Sequence, residues 1–227
     1  MMKAVIFDLD GTLLDTIADI ADAMNCVLAN HGLPMHSVDE YKIFVGDGAA
    51  NLIRRSVRPA QSVQSERPAI GAELGERMLA QFEVEYRAEY LRRQTDKTMP
   101  YAGIPELLST LAERGVRMAV LSNKPHNSTV KVMEHYFPGV AFGAIIGQRA
   151  GCPIKPDPAG VMEILDILGL ARDDALYVGD TGTDMLTAKA AGVMSVGALW
   201  GFRDKRELLE NGAMVLADSP LDVLKYI

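Results

Sequence analysis

Acidic, hydroxyl and ammonium side chains recur where short apolar runs of this sequence end, and together they suit work on a phosphate. The stretch VIFDLDGTLLD (5–15) carries Asp8 and Asp10 at the end of a strand-forming run. Residues i and i+2 of a strand project to one face, so the two carboxylates share a face if Asp10 is still near-extended. Gly11 permits a sharp turn, and Thr12 can offer a hydroxyl and a backbone N–H. Taken alone, the pair could simply cap a turn. Further along, VRMAVLS (116–122) ends in Ser122 and Asn123, Lys155 stands among prolines in KPDP, and GDTGTD (179–184) supplies Asp180 and Asp184. Each of these also has a plain reading: Ser122 as a turn residue, Lys155 as a solvated lysine, Asp184 as a helix cap. Jointly, four acids, a hydroxyl and an ammonium at one sheet edge suit a divalent cation plus a phosphate. Mg²⁺ prefers hard oxygen ligands. Asp8, Asp180 and a backbone carbonyl near Asp10 could supply them, while Lys155 and Ser122 could hold phosphate oxygens.

The elements that would position these groups alternate along the chain. Apolar runs at 4–7, 116–122, 141–147, 175–179, 193–197 and 213–217 read as strands. They are continuous rather than alternating, which suggests a sheet covered on both faces. Helical spacing at 104–115, 156–170 and 184–192 lies between them, with Asp157 and Pro158 opening the second and Gly115 and Gly192 closing the first and third. Strand–helix alternation implies parallel βαβ units and a doubly wound, mostly parallel α/β sheet of Rossmann-like type. In such sheets ligands bind outside the carboxyl ends of the strands, where the acids fall.

One region breaks the alternation. From about Asp15 to Asp96 only helical patterns occur, in DTIADIADAMNCVLANHG, GAANLIRRSV and AELGERMLAQFEVEYRAEYLRRQ. The polar, proline-bearing piece 58–70 reads as a loop within it. The expected organisation is a catalytic core of residues 1–14 and 96–227 interrupted by an all-helical insertion over 15–95.

The bulk composition narrows the function class. A 48% hydrophobic fraction in 227 residues allows a large core, and a net charge of −7 gives no basic footprint for nucleic acid. Two distant cysteines, Cys26 and Cys152, suit a reducing compartment. The start MMKAVIFD reads as a strand rather than a signal peptide, and no apolar run reaches membrane-spanning length. The expectation is a cytoplasmic protein, monomer or homodimer, without membrane or nucleic-acid partners. Neither G-x-G-x-x-G nor G-x-x-x-x-G-K-[ST] occurs, which disfavours dinucleotide and nucleoside-triphosphate folds.

With DLDGT (8–12), LSN (121–123), Lys155 in KPDP and GDTGTD (179–184) in this order, the chain resembles the haloacid dehalogenase superfamily. SNKP (122–125), VGDG (45–48) and LWGF (199–202) resemble its phosphoglycolate phosphatase-like branch. The resemblance spans nearly the whole chain and puts the helical insertion where the family carries a cap. It implies Mg²⁺-dependent hydrolysis of a small phosphorylated metabolite, most specifically 2-phosphoglycolate. Asp8 would be the nucleophile that forms an aspartyl-phosphate, and Asp10 the acid and then the base. Lys155 would neutralise charge, and Thr12, Ser122 and Asn123 would bind the phosphate. Asp8, Asp10, Asp180 and Asp184 would form the metal site. Gly46 and Gly48 in the cap would bring backbone N–H groups to the substrate, with Arg54 or Arg55 adding positive charge.

Two other readings share parts of this pattern. A β-phosphoglucomutase-like phosphomutase would carry the same core motifs, although SNKP and VGDG favour a phosphatase. A receiver-like phosphoacceptor also clusters acids, a hydroxyl and a lysine on such a sheet, but the Asp8/Asp10 pair and the helical insertion argue against it. His31, His36, His126 and His135 are scattered and read as structural, Cys152 as a spectator thiol, and Trp200 and Phe202 as loop packing beside the core.

Overall fold

A computed structural model describes residues 2–57 and 75–227 of the chain. The expected loop at 58–70, and residues 72–74 of the last helical pattern in the insertion, lie outside the described residues. The chain divides into two compact units, one formed by Met1–Asp15 with Met99–Ile227 and the other by Thr16–Thr98.

The first unit is built on a six-stranded sheet. Its strands are β1 (Ala4–Phe7), β4 (Arg117–Pro125), β5 (Phe142–Gln148), β6 (Ala175–Gly179), β7 (Met194–Ala198) and β8 (Val215–Ala217). Their order is β5-β4-β1-β6-β7-β8, and every neighbouring pair is parallel. The six apolar runs therefore all become strands, and the α/β class read from the sequence holds. Burial on both faces explains why those runs do not alternate with polar residues. Val5 and Phe7 enter one core and Ala4 and Ile6 the other, all at 0% exposure. Helices α5 (Ile104–Glu113) and α6 (His126–Tyr136) supply the first core, and α7 (Ala159–Leu168) and α8 (Gly182–Ala191) the second. Each fully buried Val, Ile or Phe side chain stabilises by about 1.5–3 kcal/mol relative to exposure. The strand that ends in Asp8 is thus firmly placed.

The chain leaves β1 for β4 and β5 on one side and returns to β6 on the other. This reversal makes the carboxyl ends of β4, β1 and β6 the crevice of the sheet. A small antiparallel ribbon was not foreseen: β2 (Leu14–Asp15) pairs with β3 (Met99–Pro100). Two residues per strand are too short to leave a pattern. The helix over 156–170 starts later than expected, at Ala159, with Asp157 Oδ1 accepting its N–H at 2.8 Å.

In the second unit, α1 (Ile17–Asn30) buries Ile17, Ile20, Met24, Val27 and Leu28 along one stripe, and α4 (Glu76–Arg93) buries Phe82, Tyr86 and Tyr90 at four-residue spacing. α3 spans Ala49–Ser56. A further helix, α2 (Val38–Phe44), escaped the sequence reading because it is one short segment that buries only Tyr41. Its signal was the capping box, in which Ser37 and Glu40 satisfy each other's backbone N–H groups. Asp19, buried in the first turn of α1, accepts from Lys97 N at 3.0 Å, Thr98 N at 2.9 Å and Thr98 Oγ1 at 2.7 Å. That carboxylate ties the beginning of the unit to its end. No helix among the described residues is long and apolar enough to cross a membrane.

Candidate active site

β1 delivers Asp8, whose N–H continues the ladder to Val178 O at 2.9 Å. β6 delivers Asp180, and the first turn of α8 delivers Asp184. One carboxylate oxygen from each of Asp8, Asp180 and Asp184 lies within 4.8 Å of the others. Lys155 Nζ bridges two of them, 2.7 Å from Asp8 Oδ1 and 2.6 Å from Asp184 Oδ1. Asp184 serves both the start of α8 and the acid cluster. Its Oδ2 accepts from Thr181 N at 3.0 Å in a capping box, and its Oδ1 takes the lysine.

Glycines make room for this cluster. A Cβ on Gly11, where φ is +89°, would stand 2.3 Å from Asp180 Oδ2, and one on Gly179 would stand 2.3 Å from Asp184 Cβ. Asp180 itself is clamped from both sides. Thr12 Oγ1 donates to its Oδ1 at 2.9 Å, and Phe202 N donates to its Oδ2 at 2.9 Å.

Burying these acids has an electrostatic consequence. Burial, then the Asp184 charge, push Asp8 well above the usual carboxylate range, against the opposing pull of Lys155. Burial and Asp184 likewise raise Asp180 to about 7. Burial alone would lower Lys155, but Asp184 and Asp8 outweigh it and hold the ammonium charged. Lys155 neutralises one of the three buried carboxylates, and the remaining two match the charge of a divalent cation. The donors are hard oxygens held close together, which fits Mg²⁺.

Several predicted residues have partners the sequence did not reveal. Thr12, grouped with the phosphate ligands, spends its hydroxyl on Asp180 and its N–H on Leu9 O at 3.2 Å. Asn123, grouped there too, pairs its side-chain amide with the Lys155 backbone: Nδ2 donates to Lys155 O at 3.1 Å, and Oδ1 accepts from Lys155 N at 2.9 Å. It places the lysine loop. Ser122 Oγ accepts from Lys124 N at 3.2 Å, which directs the hydroxyl proton elsewhere. The Asp10 carboxylate, as distinct from the backbone carbonyl near it that was expected to serve the metal, is not among the clustered acids, and its Oδ1 accepts from Lys124 Nζ at 2.6 Å. Trp200 and Phe202 do more than pack: Trp200 Nε1 donates to Thr12 O at 2.9 Å, and Phe202 N holds Asp180. Sequence reading also passed over Tyr177. It is fully buried, its hydroxyl lies 3.2 Å from Asp184 Oδ1, and its ring centroid lies 5.9 Å from Lys155 Nζ.

In the helical unit, Gly46 and Gly48 have φ of +114° and +84°, so the VGDG turn needs glycine at both places. Arg55 ion-pairs with Asp47 and donates to Phe44 O at 2.9 Å, holding the turn against α3, while Arg54 Nη2 lies 3.9 Å from Glu76.

Residues 5–198 match the family described as haloacid dehalogenase-like hydrolases. The chain belongs to that family. Phosphoglycolate phosphatase 1 of Pseudomonas aeruginosa is 33% identical over 222 residues, covering 98% of this chain and 78% of that protein. The phosphoglycolate phosphatase of Pseudomonas savastanoi pv. phaseolicola is 35% identical over 217 residues, covering 95% of this chain and 76% of that protein. A solved structure from Lactobacillus delbrueckii subsp. bulgaricus, provisionally described as a phosphoglycolate phosphatase, superposes with a TM-score of 0.90 at 30% identity, covering 99% of this chain and 98% of that one. This member of the haloacid dehalogenase-like hydrolases is a phosphatase of the phosphoglycolate phosphatase-like branch. Family membership also removes the receiver-like reading.

Proposed function

We propose that the protein is a Mg²⁺-dependent phosphomonoester hydrolase that acts on a small phosphorylated metabolite, first of all 2-phosphoglycolate, through an aspartyl-phosphate on Asp8. The observation that carries this reading is the buried Asp8–Asp180–Asp184 cluster with Lys155 bridging two of its members. The near full-length relatives support the substrate. In the first step an Asp8 carboxylate oxygen bonds to phosphorus as the bond to the leaving oxygen breaks, and Asp10 gives that oxygen a proton. In the second, water attacks phosphorus and gives its proton to Asp10, and the Asp8–phosphorus bond breaks to release inorganic phosphate. Lys155 faces the charge that builds on the transferring group, and Ser122 orients it. Asp8 and Asp180 would hold Mg²⁺, with Asp184 supporting its shell, and the bound cation would supply shielding of the anionic nucleophile from the anionic phosphate. We read the enzyme as cytoplasmic.

Measuring kcat/KM for 2-phosphoglycolate, a hexose 1-phosphate and an aryl phosphate tests the proposal. Phosphate release fastest from 2-phosphoglycolate supports it. Conversion of the hexose 1-phosphate to an isomer without phosphate release overturns it in favour of a mutase.

Two substitutions probe the parts. Asp10→Asn is expected to lose about 10²-fold or more on an alkyl phosphate, the scale of positioned proton transfer, and less on p-nitrophenyl phosphate, whose leaving group needs no proton. Equal losses would remove the general-acid role. Gly48→Val, at a positive φ that valine resists, is expected to impair 2-phosphoglycolate far more than the aryl phosphate. That outcome assigns Gly46 and Gly48 to substrate choice, whereas parallel losses would make VGDG a support for the fold.

A further inference from the structure

Lys124 is a buried lysine that the two-step scheme leaves without a task. Its side chain is 4% exposed, and its ammonium lies 2.6 Å from Asp10 Oδ1. An ammonium taken out of water costs several kcal/mol unless it is paired and hydrogen-bonded, so its location carries information. The two acids of DLDGT each have their own lysine. Lys155 sits on Asp8, and Lys124 sits on Asp10. Both lysines depend on one segment, Ser122–Asn123–Lys124, at the end of β4. Asn123 fixes the Lys155 backbone, Lys124 N fixes Ser122 Oγ, and Thr129 Oγ1 fixes Lys124 O at 3.2 Å. The pairing of β4 with β5 is irregular between Leu121 and Pro125, and Ser122, Asn123 and Lys124 are all buried there.

We propose that Lys124 is a positioning residue for proton transfer: its ammonium grips Asp10 at Oδ1 and so assigns the transferred proton to Oδ2. An ammonium offers donors and no acceptor. The oxygen it touches therefore serves as an acceptor, and a proton on Asp10 sits on the other oxygen. In the first step the Oδ2–H bond breaks and the proton passes to the leaving oxygen. In the second, Oδ2 receives a proton from the attacking water. The inference rests on the acid/base reading of Asp10 and adds to it the residue that aims the carboxylate.

The test compares Lys124→Met, Asp10→Asn and the double variant on an alkyl phosphate, phenyl phosphate and p-nitrophenyl phosphate. Misaiming a reacting group by about 1 Å can cost 10²-fold, so Lys124→Met should lose on the order of 10²-fold on the alkyl phosphate. The loss should shrink as the leaving group improves, and the double variant should be no slower than Asp10→Asn alone. Losses equal across all three substrates, or losses that multiply in the double variant, overturn the proposal. If Lys124→Met does not fold, Lys124→Gln keeps an N–H donor at the site and must show the same dependence on leaving group in milder form; a flat dependence overturns the proposal there too. An Asp10→Asn enzyme with undiminished activity would instead sink the acid/base reading itself, a result distinct from failure of the lysine's role.

Discussion

Asp8→Asn is expected to abolish turnover, by more than about 10⁴-fold, while leaving the fold at least as stable as before. Losing a nucleophile that works as a unit with its neighbours removes most of the catalysis those neighbours provide. The amide keeps the shape of the carboxylate and is too weak a nucleophile to form the phosphorus bond. Stability should survive because Asp8 is one of three buried acids around one ammonium. Burial and Asp184 already disfavour its ionised form, so a neutral residue there relieves repulsion. Lys155 keeps Asp184 as a partner at 2.6 Å. Steady-state hydrolysis and a thermal melt in EDTA check the two halves separately. Turnover within tenfold of wild type would falsify the nucleophile assignment, and a melting temperature lowered by many degrees would mean Asp8 is needed chiefly for the fold.

The placement of the strand-end residues was legible from one sequence because the sheet's geometry is local in its consequences. A continuous apolar run predicts a doubly covered strand, and in a parallel sheet its carboxyl end predicts the crevice. Asp8, Ser122 and Asp180 follow from those two steps. What the side chains do once there was less legible, because their partners are distant in sequence. Thr12 meets Asp180 across 168 positions and Asn123 meets Lys155 across 32, and no spacing rule links them. Lys124 illustrates the difference. Read as the third letter of SNKP it looks like a polar residue after the strand has stopped. In fact β4 runs on to Pro125, and the strand carries the lysine into the site. The capping box at Ser37 and Glu40 was readable and would have located α2.

Removing divalent metal should silence the enzyme, and the same metal should stabilise the protein more at pH 8 than at pH 5. Folding raises Asp180 from the ordinary carboxylate range to about 7 and raises Asp8 as well, through burial and the charge of Asp184. In the metal-free protein the folded state therefore holds protons that the unfolded chain has already released. The Asp180 contribution is fully present below about pH 4, where both states are protonated, and is lost as pH rises through about 7, and Asp8 acts in the same direction. A bound cation reverses the sign, because it requires the ionised carboxylates that the empty site disfavours. Other acids also titrate on unfolding, Glu40 and Asp174 among them with lowered values. The informative quantity is thus the difference between melts with Mg²⁺ and with EDTA, in which groups far from the metal cancel. At a metal concentration about 100 times Kd the gain is about 2.7 kcal/mol, or roughly 5–10 °C in a protein of this size. That gain should be present at pH 8, should shrink toward pH 5, and should be largely lost in Asp180→Ala. Hydrolysis should vanish with chelation and return with Mg²⁺. An equal gain at both pH values would separate the metal from these carboxylates, and full activity after rigorous chelation would remove it from the reaction.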